Sequence, residues 1–170
     1  MLKKFEEVYL EKYWELHKQQ WCNYFEKGNY DLSVLDNEIY ELSCLYSNKI
    51  EITDNKSKRA YLLIARSIVD KHPQVSQLRN RIDKLDNYDK DMPNEIRKDS
   101  YKYKLELARR MKKDVLQLMS RRNELAAELG YDSYPELVLT AEGIDKEELI
   151  KLLNDFLDKS LNKARGIIRK

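Results

Sequence analysis

Residue types able to do chemistry are sparse: 170 residues include two histidines and two cysteines. His17 lies in W-E-L-H-K-Q-Q-W and His72 in V-D-K-H-P-Q-V. A zinc hydrolase helix needs H-E-x-x-H, which sets two imidazoles one turn apart on one face with a carboxylate beside them. Neither histidine has a second histidine four residues away. The E-x-x-H pair of di-iron bundles is missing too, because Trp14 and Val69 stand where its glutamate belongs. His17 and Cys22 are five apart and so face different sides of a helix. No metal ligand set is expected in this chain. No serine sits in a G-x-S-x-G elbow, and a nucleophilic Cys–His pair would have to be assembled from distant helices. The four glycines are isolated, so no loop is available to cradle phosphate. The adjacent carboxylates Glu6-Glu7 and Glu147-Glu148 read as solvated faces and helix-terminus charges.

One stretch is patterned for more than helix packing: Arg121 to Leu139, R-R-N-E-L-A-A-E-L-G-Y-D-S-Y-P-E-L-V-L. A helix ends at Gly130, a residue that adopts positive φ without a side-chain clash. A tyrosine-rich turn follows. Ser133 then caps a short helix with Pro135 in its first turn. The ordinary explanation is punctuation: Leu125, Ala126 and Leu129 pack inward, Tyr131 and Tyr134 cover the helix end, and Arg122 meets carbonyls or a nearby carboxylate. On that explanation Asn123 is merely exposed.

The order Arg122-Asn123, Leu125-Ala126, Leu129-Gly130-Tyr131, Tyr134 and Leu137 resembles a pattern of the oligoendopeptidase F-like and thimet-type zinc metallopeptidases. The related angiotensin-converting-enzyme-like peptidases carry a similar arginine-asparagine helix followed by a glycine-tyrosine turn. The resemblance covers about Leu118 to Leu157, including the acidic start and leucine pairs of the helix from Ile144. It implies that the chain is the N-terminal helical region of such a peptidase, forming one wall or lid of a peptide-binding cleft. The zinc helix with H-E-x-x-H would lie in a longer parent protein, so this chain alone is expected to be catalytically inactive and to hold no cofactor. Short peptides or the missing catalytic domain would be its partners. Arg122, Tyr131 and Tyr134 are the residues placed nearest that cleft by the resemblance. The chain then reads as a truncated region, a degenerate relative or a separate fragment.

The elements that must position these residues are helices. Leu2 to Lys27 repeats apolar residues at three- to five-residue steps, with Gly28 as its stop. Asp31 is placed to cap a second helix carried by Leu32, Leu35, Ile39, Leu42 and Leu45. Thr53 or Asp54 starts a third, which Pro73 ends. Val75, Leu78, Ile82 and Leu85 mark a fourth. The polar segment Asn87 to Asn94 reads as an exposed loop, and a long helix follows from about Glu95 to Leu129. After the short helix capped by Ser133, Asp145 with Glu148 opens a last helix bearing Leu149, Leu152, Leu153, Phe156 and Leu161. No strand shows convincing alternation. The expected fold is all-α, a single domain over residues 1–170. It is a bundle of about six helices, with long N-terminal and central members, plus one short helix.

Composition bounds the alternatives. Charged residues make up 36% and hydrophobic ones 42%, which fits amphipathic helices with solvated outer faces. A net charge of +2 gives no global field to attract nucleic acid or an anionic membrane, and neither partner is expected. No window approaches the ~20 apolar residues of a membrane span. The N-terminus breaks its apolar run with acidic residues, unlike a signal peptide. Cys22 and Cys44, outside any C-x-x-C pair, read as reduced thiols of a cytoplasmic protein. A second functional reading rests on the aromatic residues Phe5, Tyr9, Tyr13, Trp14, Trp21, Tyr24 and Phe25 of the first helix. Helical spacing favours a core role for them, but if several are exposed they suit a stand-alone protein-interaction module. A basic RNA-binding bundle is the remote third.

Overall fold

A computed structural model describes residues 2–25, 28, 30–87 and 100–168. Seven helices occur among them: α1 (Leu2–Phe25), α2 (Ser33–Ser47), α3 (Asn55–Asp70), α4 (Pro73–Asn87), α5 (Ser100–Glu128), α6 (Tyr134–Glu142) and α7 (Lys146–Ile168). The all-α expectation holds for the described residues, which contain no strand. The expected loop from Asn87 to Asn94 is helix at Asn87 and otherwise lies outside the described residues, as do the expected starts and ends at Glu95 and Lys27.

Punctuation follows local chemistry closely. Asp54 caps α3 through a complete capping box: Ser57 N–H donates to Asp54 Oδ1 at 2.7 Å, and Asp54 N–H donates to Ser57 Oγ at 3.0 Å. Hydrogen bonding from Ser57 to the carboxylate, its backbone N–H foremost and then its side chain, holds the Asp54 carboxyl below its usual range. Asp31 acts one residue earlier than a regular cap would. Its carboxylate accepts from Ser33 N–H at 3.0 Å, while Leu32 occupies the N-cap with helical φ and ψ. α4 begins on Pro73 itself, whose missing N–H costs nothing there. Ser133 Oγ accepts from Glu136 N–H at 3.3 Å, and Asp145 Oδ1 accepts from Glu147 and Glu148 N–H at 2.8 and 2.9 Å. Gly130 and Gly143 adopt φ of 87° and 72°, terminating α5 and α6 with left-handed residues.

Packing runs α1 on α2, α2 on α3 and α4, and α3 on α5 and α6, with α4 and α5 side by side. The larger core gathers Ala65 and Val69 of α3, Val75 and Leu78 of α4, Leu118, Leu125 and Ala126 of α5, and Leu137 of α6. A smaller one joins Leu16 of α1 to Leu35 and Ile39 of α2. The stripe expected on α1 divides: Phe5 and Leu16 are buried, Tyr9 is half-buried, and Trp14 and Trp21 are 68% and 60% exposed. α5 is likewise buried on only part of its stripe, with Met119 exposed beside buried Leu118. Helix α7 makes no extensive packing with another helix among the described residues, and its Leu152, Leu153, Leu157 and Leu161 are exposed while Leu149 is half-buried. No helix of the described residues is long and apolar enough to cross a membrane.

Candidate functional site

The Arg121–Leu139 stretch closes onto α3 through one carboxylate. Asp70, the last residue of α3, accepts a hydrogen bond from the Tyr134 hydroxyl at 2.7 Å. The same oxygen lies 3.1 Å from Arg122 Nη2, and the other carboxylate oxygen is 3.5 Å from Arg66 Nε. Arg66 also pairs with Glu142 at the end of α6. The Arg122 guanidinium stacks 4.8 Å from the centre of the Tyr134 ring, a cation–π contact that fixes the ring above α5. Asn123 Oδ1 accepts from Tyr134 N–H at 3.0 Å, so α5 satisfies one of the free backbone donors at the start of α6.

Two of the three residues singled out from sequence therefore meet. Arg122 and Tyr134 touch each other and share Asp70. Tyr131 stands apart from this polar group: it packs on the larger core, and burial first, then Tyr61 and Glu136, raises its phenol pKa. Burial, the Asp70 charge and the hydrogen bond to it push the Tyr134 phenol from 10.0 up to about 12, against the opposing pull of Arg122 and Arg66. Tyr134 is thus a protonated donor at neutral pH, not a base. Two arginines and two carboxylates balance within the group, leaving no net charge at its centre. Chemically, it is an ionic joint between α3, α5 and α6.

Asp70, Arg66 and Glu142 were not anticipated. They lie beside the apolar stripes, where spacing alone cannot distinguish a joint from a solvated face. Asp36 gave a clearer signal, being a carboxylate four residues after Leu32 and three before Ile39 on the inner stripe of α2. It is 1% exposed. Lys71 Nζ donates to it at 2.7 Å, and Ser76 and Arg79 donate to its other oxygen, so its charge is shared between α4 and the turn that precedes it. Burial lowers the Lys71 pKa despite the attraction of Asp36. Beside this group opens a polar cleft of about 540 Å³, lined by residues that include Asn37, Lys71, Ser76, Asn80, Arg81 and Lys84. Its cations are largely spoken for, since Lys71 serves Asp36 and Arg81 lies 2.9 Å from Asp114.

The histidines are far from both groups in role. His17 Nδ1 lies 2.8 Å from the Tyr13 carbonyl within α1. His72 Nδ1 accepts from Gln74 N–H at 3.2 Å at the start of α4, and its ring meets Tyr40 edge-on at 5.3 Å. Burial first, and then Arg121, lowers the His72 pKa. Cys22 and Cys44 are not joined in a disulfide, and both are half-buried. Among the described residues, no group of three or more His, Cys, Asp or Glu side chains is placed to hold a metal ion.

Comparison with known proteins returned no matching family model, no matching curated protein and no matching solved structure.

Proposed function

We propose that the chain is a noncatalytic helical region of a zinc oligopeptidase-like protein, where it forms a wall or lid of a peptide-binding cleft. The observation that supports this reading is the joint between α5 and α6. Simple helix punctuation requires a glycine stop, inward leucines and a carboxylate or carbonyl for Arg122, and it leaves Asn123 merely exposed. Here Arg122 clamps Tyr134 and Asp70, and Asn123 holds the first N–H of α6. The residues that carry the resemblance thus act together as one unit that orients the turn. In this reading the turn with Tyr131 and Tyr134 faces the cleft. Zinc and bond cleavage belong to a partner domain carrying H-E-x-x-H.

A second reading, a protein-interaction module, is favoured by a different observation: Trp14, Trp21, Tyr24 and Phe25 are all exposed on α1. One experiment separates the two. Isotope-labelled chain is titrated with a mixture of short oligopeptides and followed by amide and indole NMR signals. The cleft-wall reading expects shifts around Tyr131 and Tyr134, with the Trp14 and Trp21 indoles unmoved. Shifts confined to the indoles favour the module, and no response at either place refutes the cleft wall. Chelator-sensitive cleavage of the peptides by this chain would overturn the noncatalytic assignment.

A further inference from the structure

The buried charge group at Asp36 is unbalanced within itself. One carboxylate, 1% exposed, faces two cations: Lys71 Nζ at 2.7 Å on one oxygen, and Arg79 on the other, where Ser76 also donates. A surplus positive charge in a largely buried setting is costly, and only one of the two cations can shed it. A guanidinium keeps its proton in proteins, whereas a lysine amine gives one up readily when buried. Without that proton Lys71 still has an N–H to donate to Asp36, and Arg79 keeps the carboxylate paired. Burial foremost holds the Lys71 pKa below the usual lysine range; Arg79 adds to the lowering, while Asp36 and Asp70 oppose it. A desolvated lysine beside a second cation is an arrangement that makes an amine nucleophilic.

Lys71 also lines the cleft of about 540 Å³, a size that takes a small molecule. Hydroxyl and amide side chains dominate the rest of its uncharged lining, with Ser33, Asn37, Ser76, Gln77 and Asn80 against a single apolar residue, Pro73. The charges in and around the cleft cancel once Lys71 is neutral, since Asp31, Asp36 and Asp114 are matched by Arg79, Arg81 and Lys84. Such a lining suits an uncharged ligand rich in hydroxyls. We propose that Lys71 captures small hydroxylated aldehydes or ketones in this cleft as imines. The Nζ lone pair adds to the carbonyl carbon while the π pair of the C=O bond moves to oxygen. One nitrogen proton passes to that oxygen, and loss of the resulting hydroxyl with the second nitrogen proton releases water and leaves C=N. One amine and one carbonyl give one imine and one water, with no oxidant or reductant. Asp36, beside Nζ, offsets the charge of the imine when it is protonated. This is reversible capture without turnover, and it is independent of the peptidase reading.

The test uses the 170-residue chain with glyceraldehyde and cyanoborohydride, which reduces the imine to a stable secondary amine, and follows adduct formation at each lysine by peptide mass mapping. The expected result is modification of Lys71 at least about tenfold faster than of the exposed Lys4 and Lys18, since a larger neutral fraction and confinement of the probe both favour it. Its rate rises with pH earlier than theirs, and the advantage disappears in urea. Butanal, similar in size but without the hydroxyls, shows much less preference for Lys71, and Asn80→Leu narrows the difference between the two aldehydes. Modification of Lys71 no faster than of Lys4 and Lys18, or with the same dependence on pH, overturns the proposal. An advantage that persists in urea assigns the reactivity to local sequence and overturns it too. Equal capture of butanal and glyceraldehyde at Lys71 overturns the ligand class.

Discussion

Replacing Tyr134 by Phe removes one hydroxyl from the α3–α5–α6 joint and leaves the ring under Arg122 in place. The hydroxyl donates to Asp70 at 2.7 Å, and a hydrogen bond to a charged acceptor contributes about 1.5–3 kcal/mol. Asp70 keeps both arginines, which places the loss at the low end. The pKa sets the scale on which that gap changes with pH. A phenol displaced from 10.0 to about 12 corresponds to about 2.7 kcal/mol for a fully buried group. Tyr134 is only partly buried, and solvent screening reduces this to about 1–1.5 kcal/mol. The sign is set by the direction of displacement. A raised pKa means the folded state holds the proton more tightly, so the stabilisation is complete below pH 10 and is lost as pH rises from 10 through about 12. Urea unfolding followed by circular dichroism, at about pH 8 and about pH 11, brackets the free phenol's value of about 10. The Tyr134→Phe variant is expected to be about 1–1.5 kcal/mol less stable at the lower pH, with the gap narrowing at the higher. The other raised tyrosines are present in both proteins and cancel. Equal stability at the lower pH, or a gap that does not narrow, refutes the assignment of Tyr134 as the buried donor to Asp70.

Asp36→Asn leaves Lys71 and Arg79 beside a neutral group in a largely buried setting, and a loss of about 3 kcal/mol is expected by denaturant titration. Gly143→Ala places a Cβ in open space at φ of 72°, so the cost is conformational alone, about 1 kcal/mol, and Gly143→Asn should recover part of it. The His72 imidazole should titrate below 6.5 by NMR. Because its folded pKa is depressed, this residue's contribution to stability is present above 6.5 and is lost as pH falls through the folded value; a midpoint at or above 6.5 contradicts the burial described for it. Acrylamide should quench the fluorescence of Trp14 and Trp21 nearly as well in the folded chain as in urea, since both indoles are exposed, and strong protection would mean that this face of α1 is covered.

Sequence alone determined where the helices stop and start wherever the signal is local. Asp54, Ser133, Asp145, Gly130 and Gly143 act as expected because a cap or a positive φ depends on a few neighbouring backbone atoms. It also singled out Arg122, Tyr131 and Tyr134. Tertiary structure decided what they touch. Asp70 lies 64 residues from Tyr134, and no periodicity identifies which of many surface carboxylates ends a helix opposite that turn. The same limit governed the apolar stripes. Spacing predicts that α1 and α7 each have an apolar side, but burial requires a second surface at the right place. Among the described residues of the α1 stripe, Phe5 and Leu16, with part of Tyr9, find one, whereas Leu152, Leu153, Leu157 and Leu161 of α7 remain exposed. Amphipathicity is a property of one helix, whereas a core is a property of several.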